Sequence, residues 1–274
     1  MKTAYIVLGA QRSGTSATSH MLSQFGVDFG RSDHFLQDDH NPIFFELKWI
    51  NDYNNKIIDA LNYQYTDFFL PIESDFESAD TTDIESEIVT LMNQEWQGKE
   101  TIGIKDPRIS LTFPVWEKLL TQQNYEVKII LAFRRPANFL KSNQKLFHNW
   151  AGWTKERHLN FWLQLNLAAV YFCRSYPLYF LNYDKLVADP IKEATDLANC
   201  LEFDSSKITE AASVIQPTQT HYQSESETGV EFVDRCYQLL CDYALSPVEY
   251  LQLRSLSYAD AIYSSGRGGS KAVS

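Results

Sequence analysis

Three short segments of the chain gather the residue types that hold anions. Gly9-Ala10-Gln11-Arg12-Ser13-Gly14-Thr15-Ser16 has the Gly-x-x-x-x-Gly spacing of a phosphate-cradling loop, in which backbone N–H groups and the start of a helix point at the anion. The form that binds nucleoside triphosphates carries Lys and then Ser or Thr after the second Gly, because that Lys reaches the β and γ phosphates. Here Thr15 stands in its place, and the cation is Arg12, inside the loop, with the hydroxyls of Ser13, Thr15 and Ser16 around it. Phe133-Arg134-Arg135-Pro136, with Ser142 eight residues after Arg134, adds a guanidinium fork and a hydroxyl suited to a phosphate monoester. Ile104-Lys105-Asp106-Pro107-Arg108 brings further charge.

All three segments follow apolar runs that read as strands. Ala4 to Leu8 ends at Gly9, and Thr15 to Phe25 then carries Met21, Leu22 and Phe25 at helical spacing. Thr101 to Ile104 ends at Lys105, Val127 to Phe133 at Arg134, and Leu178 to Leu181 near Tyr183, each before a helical pattern. Strands alternating with helices predict an α/β fold with a central, mainly parallel sheet and helices on both faces, and in such sheets the ligand crevice lies at the carboxyl ends of the strands. The four ends are therefore expected to converge on one site.

The run from Gln11 to Ser16 resembles the 5′-phosphosulfate loop of the cytosolic and Golgi-type sulfotransferases, which use 3′-phosphoadenosine 5′-phosphosulfate (PAPS). It matches that family's Lys or Arg, Ser, Gly, Thr, Thr except for Ser16 at the second Thr. Arg134, Pro136 and Ser142 resemble its 3′-phosphate motif, and Lys105-Asp106-Pro107 is similar to the Lys-Asp-Pro of tyrosylprotein-type and many bacterial members. The steroid and phenol members place a catalytic His two residues after that Lys; this chain has Pro107. Tyr183-Asp184-Lys185-Leu186 and Asp189-Pro190 resemble the late Tyr-Glu-Asp-Leu, Asp-Pro stretch, Lys185 departing from its acid. The resemblance spans roughly residues 4 to 200, and Gly266-Arg267-Gly268 is a faint echo of the family's C-terminal Arg-Lys-Gly loop. It implies a P-loop NTPase-like three-layer fold, PAPS as donor, and cofactor binding by Arg12, Ser13, Gly14, Thr15, Ser16, Arg134, Ser142 and Tyr183.

The implied reaction moves a sulfuryl group to a hydroxyl of a small molecule or glycan by in-line displacement, with negative charge growing on the leaving oxygen. Arg12 and Lys105 are the cations expected to meet it, and no metal is called for. For the base, Asn41-Pro42-Ile43-Phe44-Phe45-Glu46 is similar to the Asn-Pro-x-Gly-Phe-Phe-Glu of bacterial members, and Golgi-type relatives use a Glu in this part of the chain. Glu46 is the first choice, His40 the second and His34 the third, while His20, inside the first helix, reads as structural. Trp49, Tyr53, Phe68, Phe69, Phe147, Trp150 and Trp153 are aromatic enough to line an acceptor pocket, although aromatic stripes more often belong to a core. Two other readings stay open: a metal-dependent small-molecule kinase, against which the missing Lys after Gly14 argues, and a nucleotide-binding protein without catalysis.

Composition limits the rest. The chain has 274 residues, 44% hydrophobic and 14% aromatic, which excludes disordered and low-complexity classes. A net charge of −11 disfavours nucleic acid and anionic headgroups as partners. Four scattered Cys with no Cys-x-x-Cys suggest reduced thiols, and the short N-terminal apolar run is neither a signal segment nor a membrane span, so a cytoplasmic protein without stable membrane insertion is expected. One domain over residues 1–263 is expected, with a helical, acidic insertion about 40–98 and a flexible tail over 264–274. Glu73 to Glu87, with seven acids, reads as a solvated stretch leading into a helix that Thr82 and Glu85 cap and that runs to about Trp96.

Overall fold

The computed structural model describes residues 2–37, 44–146, 153–215 and 226–266. Strands β1 (Lys2–Leu8), β2 (Thr101–Lys105), β3 (Tyr125–Phe133) and β4 (Leu178–Asn182) form an all-parallel sheet in the order β2-β1-β3-β4. Val7 lies opposite Lys105 on one side and Ile130 on the other, and Phe133 lies opposite Asn182. The chain leaves β1 to build β2 on one flank and leaves β3 to build β4 on the other. The carboxyl ends of β1 and β3 are thus the point where strand order reverses, the usual ligand crevice of an open α/β sheet.

Along β1, Ala4, Ile6 and Leu8 enter one apolar cluster and Tyr5 and Val7 another, all of them buried. A strand covered on both faces reads as an unbroken apolar run, which is how the sequence displays it. One face is covered by α1 (Thr15–Gln24), α8 (Tyr183–Ala188), α9 (Pro190–Leu201) and α10 (Ile208–Ser213). Over the other lie α2 (Lys48–Ala60), α4 (Thr82–Glu95), α5 (Ile109–Gln122), α7 (Lys155–Phe172), α11 (Glu231–Cys241) and α12 (Pro247–Gly266). This is the three-layer, P-loop-like arrangement. Strands β1 and β3 each begin two residues earlier than the apolar runs, because the ladder continues through Lys2↔Tyr125 and Thr3↔Glu126 by backbone bonds that do not depend on side-chain polarity.

The acidic stretch is exposed at Glu77, Asp80, Asp83 and Glu87, and several of its acids also find partners in the fold. Glu73, at the start of α3 (Glu73–Ser78), accepts from the Tyr171 hydroxyl at 2.6 Å and pairs with Arg174. Asp75 lies 3.7 Å from Arg254, Glu85 pairs with Lys118 at 2.6 Å, and Glu87 accepts from Tyr53 at 2.7 Å. These acids are matched by groups on α2, α5, α7 and α12 rather than only by water. The cap of α4 sits one residue earlier than the pattern suggests: Thr81 is the capping residue, its hydroxyl donating to Glu85 at 2.9 Å, and Thr82 is already helical. Helix α12 continues to Gly266, past the expected start of the tail at 264, and residues 267–274 lie outside the described residues. Among the described residues no helix is long and apolar enough to cross a membrane.

Candidate active site

The phosphate loop leaves β1 through two backbone conformations that need glycine. Gly9 has φ +124°, and a Cβ there would fall 2.0 Å from the Ala132 carbonyl oxygen of β3. Gly14 has φ +91°, and a Cβ there would fall 2.1 Å from the Tyr183 ring. Between them the loop closes on itself through Ser13 N–H to the Ala10 carbonyl at 3.2 Å, and it is tied to α5 by Gly9 N–H to Ser110 Oγ at 3.3 Å. Arg12 holds φ +63°, uncommon without a glycine. Ser13 is fully buried, and its hydroxyl has no hydrogen-bond partner among the described residues. A buried hydroxyl in that state beside a helix N-terminus is free to donate to an acceptor atom brought into the loop.

The end of β3 supplies the second cation. Arg134 is buried, its Nη1 donates to the Arg12 carbonyl at 3.4 Å, and its guanidinium lies 5.1 Å from the centre of the Tyr183 ring. Asp184, the first residue after Tyr183 on α8, stands 3.7 Å from Arg134 Nε and accepts from Arg135 N–H at 2.9 Å and Asn138 Nδ2 at 3.1 Å. One carboxylate thus fixes both the arginine and the turn into α6 (Pro136–Leu146). Ser142 lies two turns along α6, and its hydroxyl accepts from Arg12 Nε at 3.1 Å. The sheet therefore brings Arg12, Arg134, Ser142 and Tyr183 together, as their places after β1, β3 and β4 predict.

The end of β2 is dry and fully engaged. Lys105 is 2% exposed, and its ammonium donates to Ser16 Oγ at 3.2 Å, to the Phe44 carbonyl at 3.0 Å and to Glu46 Oε1. Glu46 is held by Leu36 N–H bonding its carbonyl at 2.7 Å and by the antiparallel bridge of Phe35 with Leu47. Phe45 before it has φ +53°, a strained value for an aromatic residue. Burial pushes the Glu46 carboxyl above its ordinary range, and the neighbouring Asp106 adds to this, while Lys105 and Arg108 pull it back. Asp106 is fully buried beneath Arg108, whose Nη1 lies 3.3 Å from each carboxylate oxygen.

The other candidates lie elsewhere. His20 packs 5.5 Å from the Phe45 ring, and burial lowers its pKa. His34 bonds Glu95 at 2.7 Å through Nδ1. His40, Phe147 and Trp150 fall outside the described residues. Of the aromatics, Trp49 packs edge-on against Trp96 and tilted against Trp116, Phe69 stacks on Tyr63, and Tyr53 bonds Glu87. These three serve the packing of α2, α4 and the chain between α2 and α3 and form no common wall; Phe68 is exposed, and Trp153 packs on His158 and Phe161. Sequence reasoning missed Ser110, Asp184, Tyr65 and Arg108, although Arg108 and Asp184 stand inside the segments it singled out. A cleft of about 510 Å³ opens beside Arg135, bordered by Ser226, Arg235 and Tyr237, whereas a larger one of about 660 Å³ lies by Lys2, Glu100 and Tyr125 at the amino ends of the strands, away from this chemistry. Among the described residues no cluster of His, Cys, Asp or Glu is placed to hold a metal ion.

Comparison with known proteins places the chain. A search of curated proteins gives no match. Among solved structures the chain is similar to the sulfotransferase domain from the Synechococcus PCC 7002 olefin synthase, with a TM-score of 0.50 and 15% identity over 89% of this chain and 96% of that one. It also matches sulfotransferase STF9 from Mycobacterium avium, with a TM-score of 0.46 and 16% identity over 95% of this chain and 76% of that one. At such identities the first likeness concerns the fold. The family model of the sulfotransferase family matches residues 5–207, from β1 through the 3₁₀ turn Ser205–Lys207. This chain belongs to the sulfotransferase family.

Proposed function

We propose that the protein transfers the sulfuryl group of PAPS to a hydroxyl of a small molecule or glycan. The observation that carries the reading is the 3.1 Å bond from Arg12 to Ser142, which joins the two phosphate motifs into one anion site. The chain suits that donor in two further respects: Ser13 offers a buried hydroxyl with no other partner among the described residues, and the absence of a side chain at Gly14 lets the loop lie against Tyr183. Arg12, Ser13, Gly14, Thr15 and Ser16 would hold the 5′ end, Arg134 and Ser142 the 3′-phosphate, with Tyr183 beside them. PAPS supplies an activated sulfuryl group and a stable bisphosphate leaving group. Arg12 as a donor and Lys105 as a fixed positive charge stabilise the charge that grows on the leaving oxygen, and one preorganised donor is worth about 3 kcal/mol. Glu46 accepts the proton of the acceptor hydroxyl; burial makes its carboxylate a stronger base than a solvated one, and Lys105 keeps it oriented.

Thermal unfolding with 3′,5′-adenosine bisphosphate, set against ADP and against ATP with magnesium, tests this. A ligand at one hundred times its Kd adds about 2.7 kcal/mol, a shift of several degrees. Selective stabilisation by the bisphosphate is the expected result. Stabilisation by magnesium ATP alone would replace this reading with a kinase, and tight bisphosphate binding without turnover on any acceptor would leave a binding protein.

A further inference from the structure

We propose that Tyr65 is a positioning residue for the phosphate loop: braced by Arg108, it holds Gln11 and so keeps Arg12 in register with Lys105. The inference rests on the reading of this loop as the donor site. Arg12 and Lys105 come from different strands, and the transition state asks them to face one group from fixed positions. One tie between the two segments is direct, from Lys105 to Ser16. The other runs through Tyr65 and two asparagines of α2, which the family motifs do not name.

The Tyr65 hydroxyl donates to Gln11 Oε1 at 3.2 Å. Gln11 immediately precedes Arg12, whose left-handed backbone persists only because surrounding contacts hold it. Burial pushes the Tyr65 phenol far above its ordinary range, so the group remains a donor throughout the working pH range. Its ring is fixed from two sides: Phe161 meets it edge-on at 5.1 Å, and the Arg108 guanidinium lies 4.1 Å from its centre. Arg108 in turn donates to Asn55 Oδ1 on α2 at 2.8 Å and straddles the carboxylate of Asp106, which also accepts from Asn51 at 3.3 Å. Asp106 is the residue after Lys105. One network therefore runs from the end of β2 through α2 and the chain after it to the phosphate loop, and the charge of Arg108 is already matched by Asp106. That leaves Arg108 the role of a rigid plate beneath the tyrosine, for which a planar, always-charged fork is better suited than lysine.

A simple packing role for Tyr65 predicts that phenylalanine would serve as well, so Tyr65→Phe is the informative variant; it keeps the ring and removes only the bond to Gln11. In hydrogen exchange of the ligand-free protein, amides of residues 9–16 in Tyr65→Phe should exchange about 3- to 10-fold faster than in the unmodified protein, the scale of one hydrogen bond, with β3 unchanged. Affinity for 3′,5′-adenosine bisphosphate should fall about 3- to 10-fold, whereas affinity for adenosine 3′-monophosphate, which has nothing for the loop to hold, should not change. Gln11→Ala should reproduce both effects, and the double variant should be no worse than either single one. Unchanged exchange at residues 9–16, an equal loss for both nucleotides, or additive losses in the double variant would each overturn the proposal. An unmodified protein that binds neither nucleotide would refute the donor reading instead, and the exchange comparison would still decide the role of Tyr65.

Discussion

Arg12 and Lys105 are assigned to the same sulfuryl group, yet the molecule treats them as opposites. Arg12 is exposed, rides a left-handed turn of a loop, and reaches across to a hydroxyl on α6. Lys105 is the last residue of a strand, is 2% exposed, and spends its three protons on a hydroxyl, a carbonyl and a carboxylate. Around the first, the chain supplies hydroxyls, backbone N–H groups and a helix N-terminus; around the second, Lys105 and Glu46 form a buried pair, and half-buried Arg108 covers the buried Asp106. On the proposed donor side, donors gather around an exposed cation, whereas the β2 side is a frame whose charges already answer one another. Loss of one partner in a buried pair leaves an uncompensated charge, and loss of a surface cation does not.

The contrast orders the expected mutational effects. Lys105→Met should cost about 3–5 kcal/mol of stability near neutral pH, measured by denaturant unfolding, because Glu46 would then be buried without its cation. A loss below one kcal/mol would mean that the pair is not the frame described here. Glu46→Gln should lower turnover by about 10²-fold or more while sparing bisphosphate binding, compared by calorimetry and initial rates. Full turnover would transfer the base role to a histidine. Arg134→Ala should weaken bisphosphate binding by about 1.5–3 kcal/mol, the scale of a charged hydrogen bond, and equal affinity would remove Arg134 from the 3′-phosphate site.

The pH dependence sharpens the same comparison. Burial raises the Glu46 pKa above its ordinary value of 4.5, so the folded state favours the protonated form. Its contribution to stability is fully present below the unfolded pKa and is lost as pH rises through the folded one. The stability of the unmodified protein minus that of Glu46→Gln should therefore decline over that window, and a rising difference would show Lys105 outweighing burial. The smallest effect belongs to Arg12→Ala, which should change unfolding stability by less than about 0.5 kcal/mol while weakening bisphosphate binding.

The meeting of Arg12, Arg134 and Tyr183 was legible in the sequence because a parallel sheet turns order along the chain into proximity. A cation placed directly after an apolar run must surface at the same sheet edge as any other so placed, and that is how Arg12, Arg134 and Tyr183 meet. Glycines that tolerate no Cβ marked the turns. The frame around Lys105 was less legible, because its contacts join residues such as Tyr65 and Gln11 or Arg108 and Asn55, more than fifty positions apart, with no motif to announce them. Asp184 was quoted within a motif, but its bond to the turn after β3 depends on how β4 is registered beside that strand. The acids from Glu73 to Glu87 are solvated as a charge run should be, but the ion pairs of Glu73, Asp75 and Glu85 stayed hidden for a related reason: their partners, Arg174, Arg254 and Lys118, lie far along the chain. The aromatics of α2 were open to two readings, pocket wall or packing, and Trp49 packs against Trp96 and Trp116 while Tyr53 bonds Glu87.

The central position of β1 has a further consequence for how the chain is made. Lys2 to Leu8 is synthesised before either of its neighbours, and both its edges stay unpaired until residues 101–105 and 125–133 have left the ribosome. Throughout that interval a β-prone apolar segment with two open edges is available to any other chain, the situation in which strands aggregate. Pairing over such sequence distances is also slow, since the loop must close before any contact rewards it. The strand that carries the phosphate loop therefore waits for both of its neighbours, and the anion site waits longer still, because Ser142 and Tyr183 follow β3 in the chain.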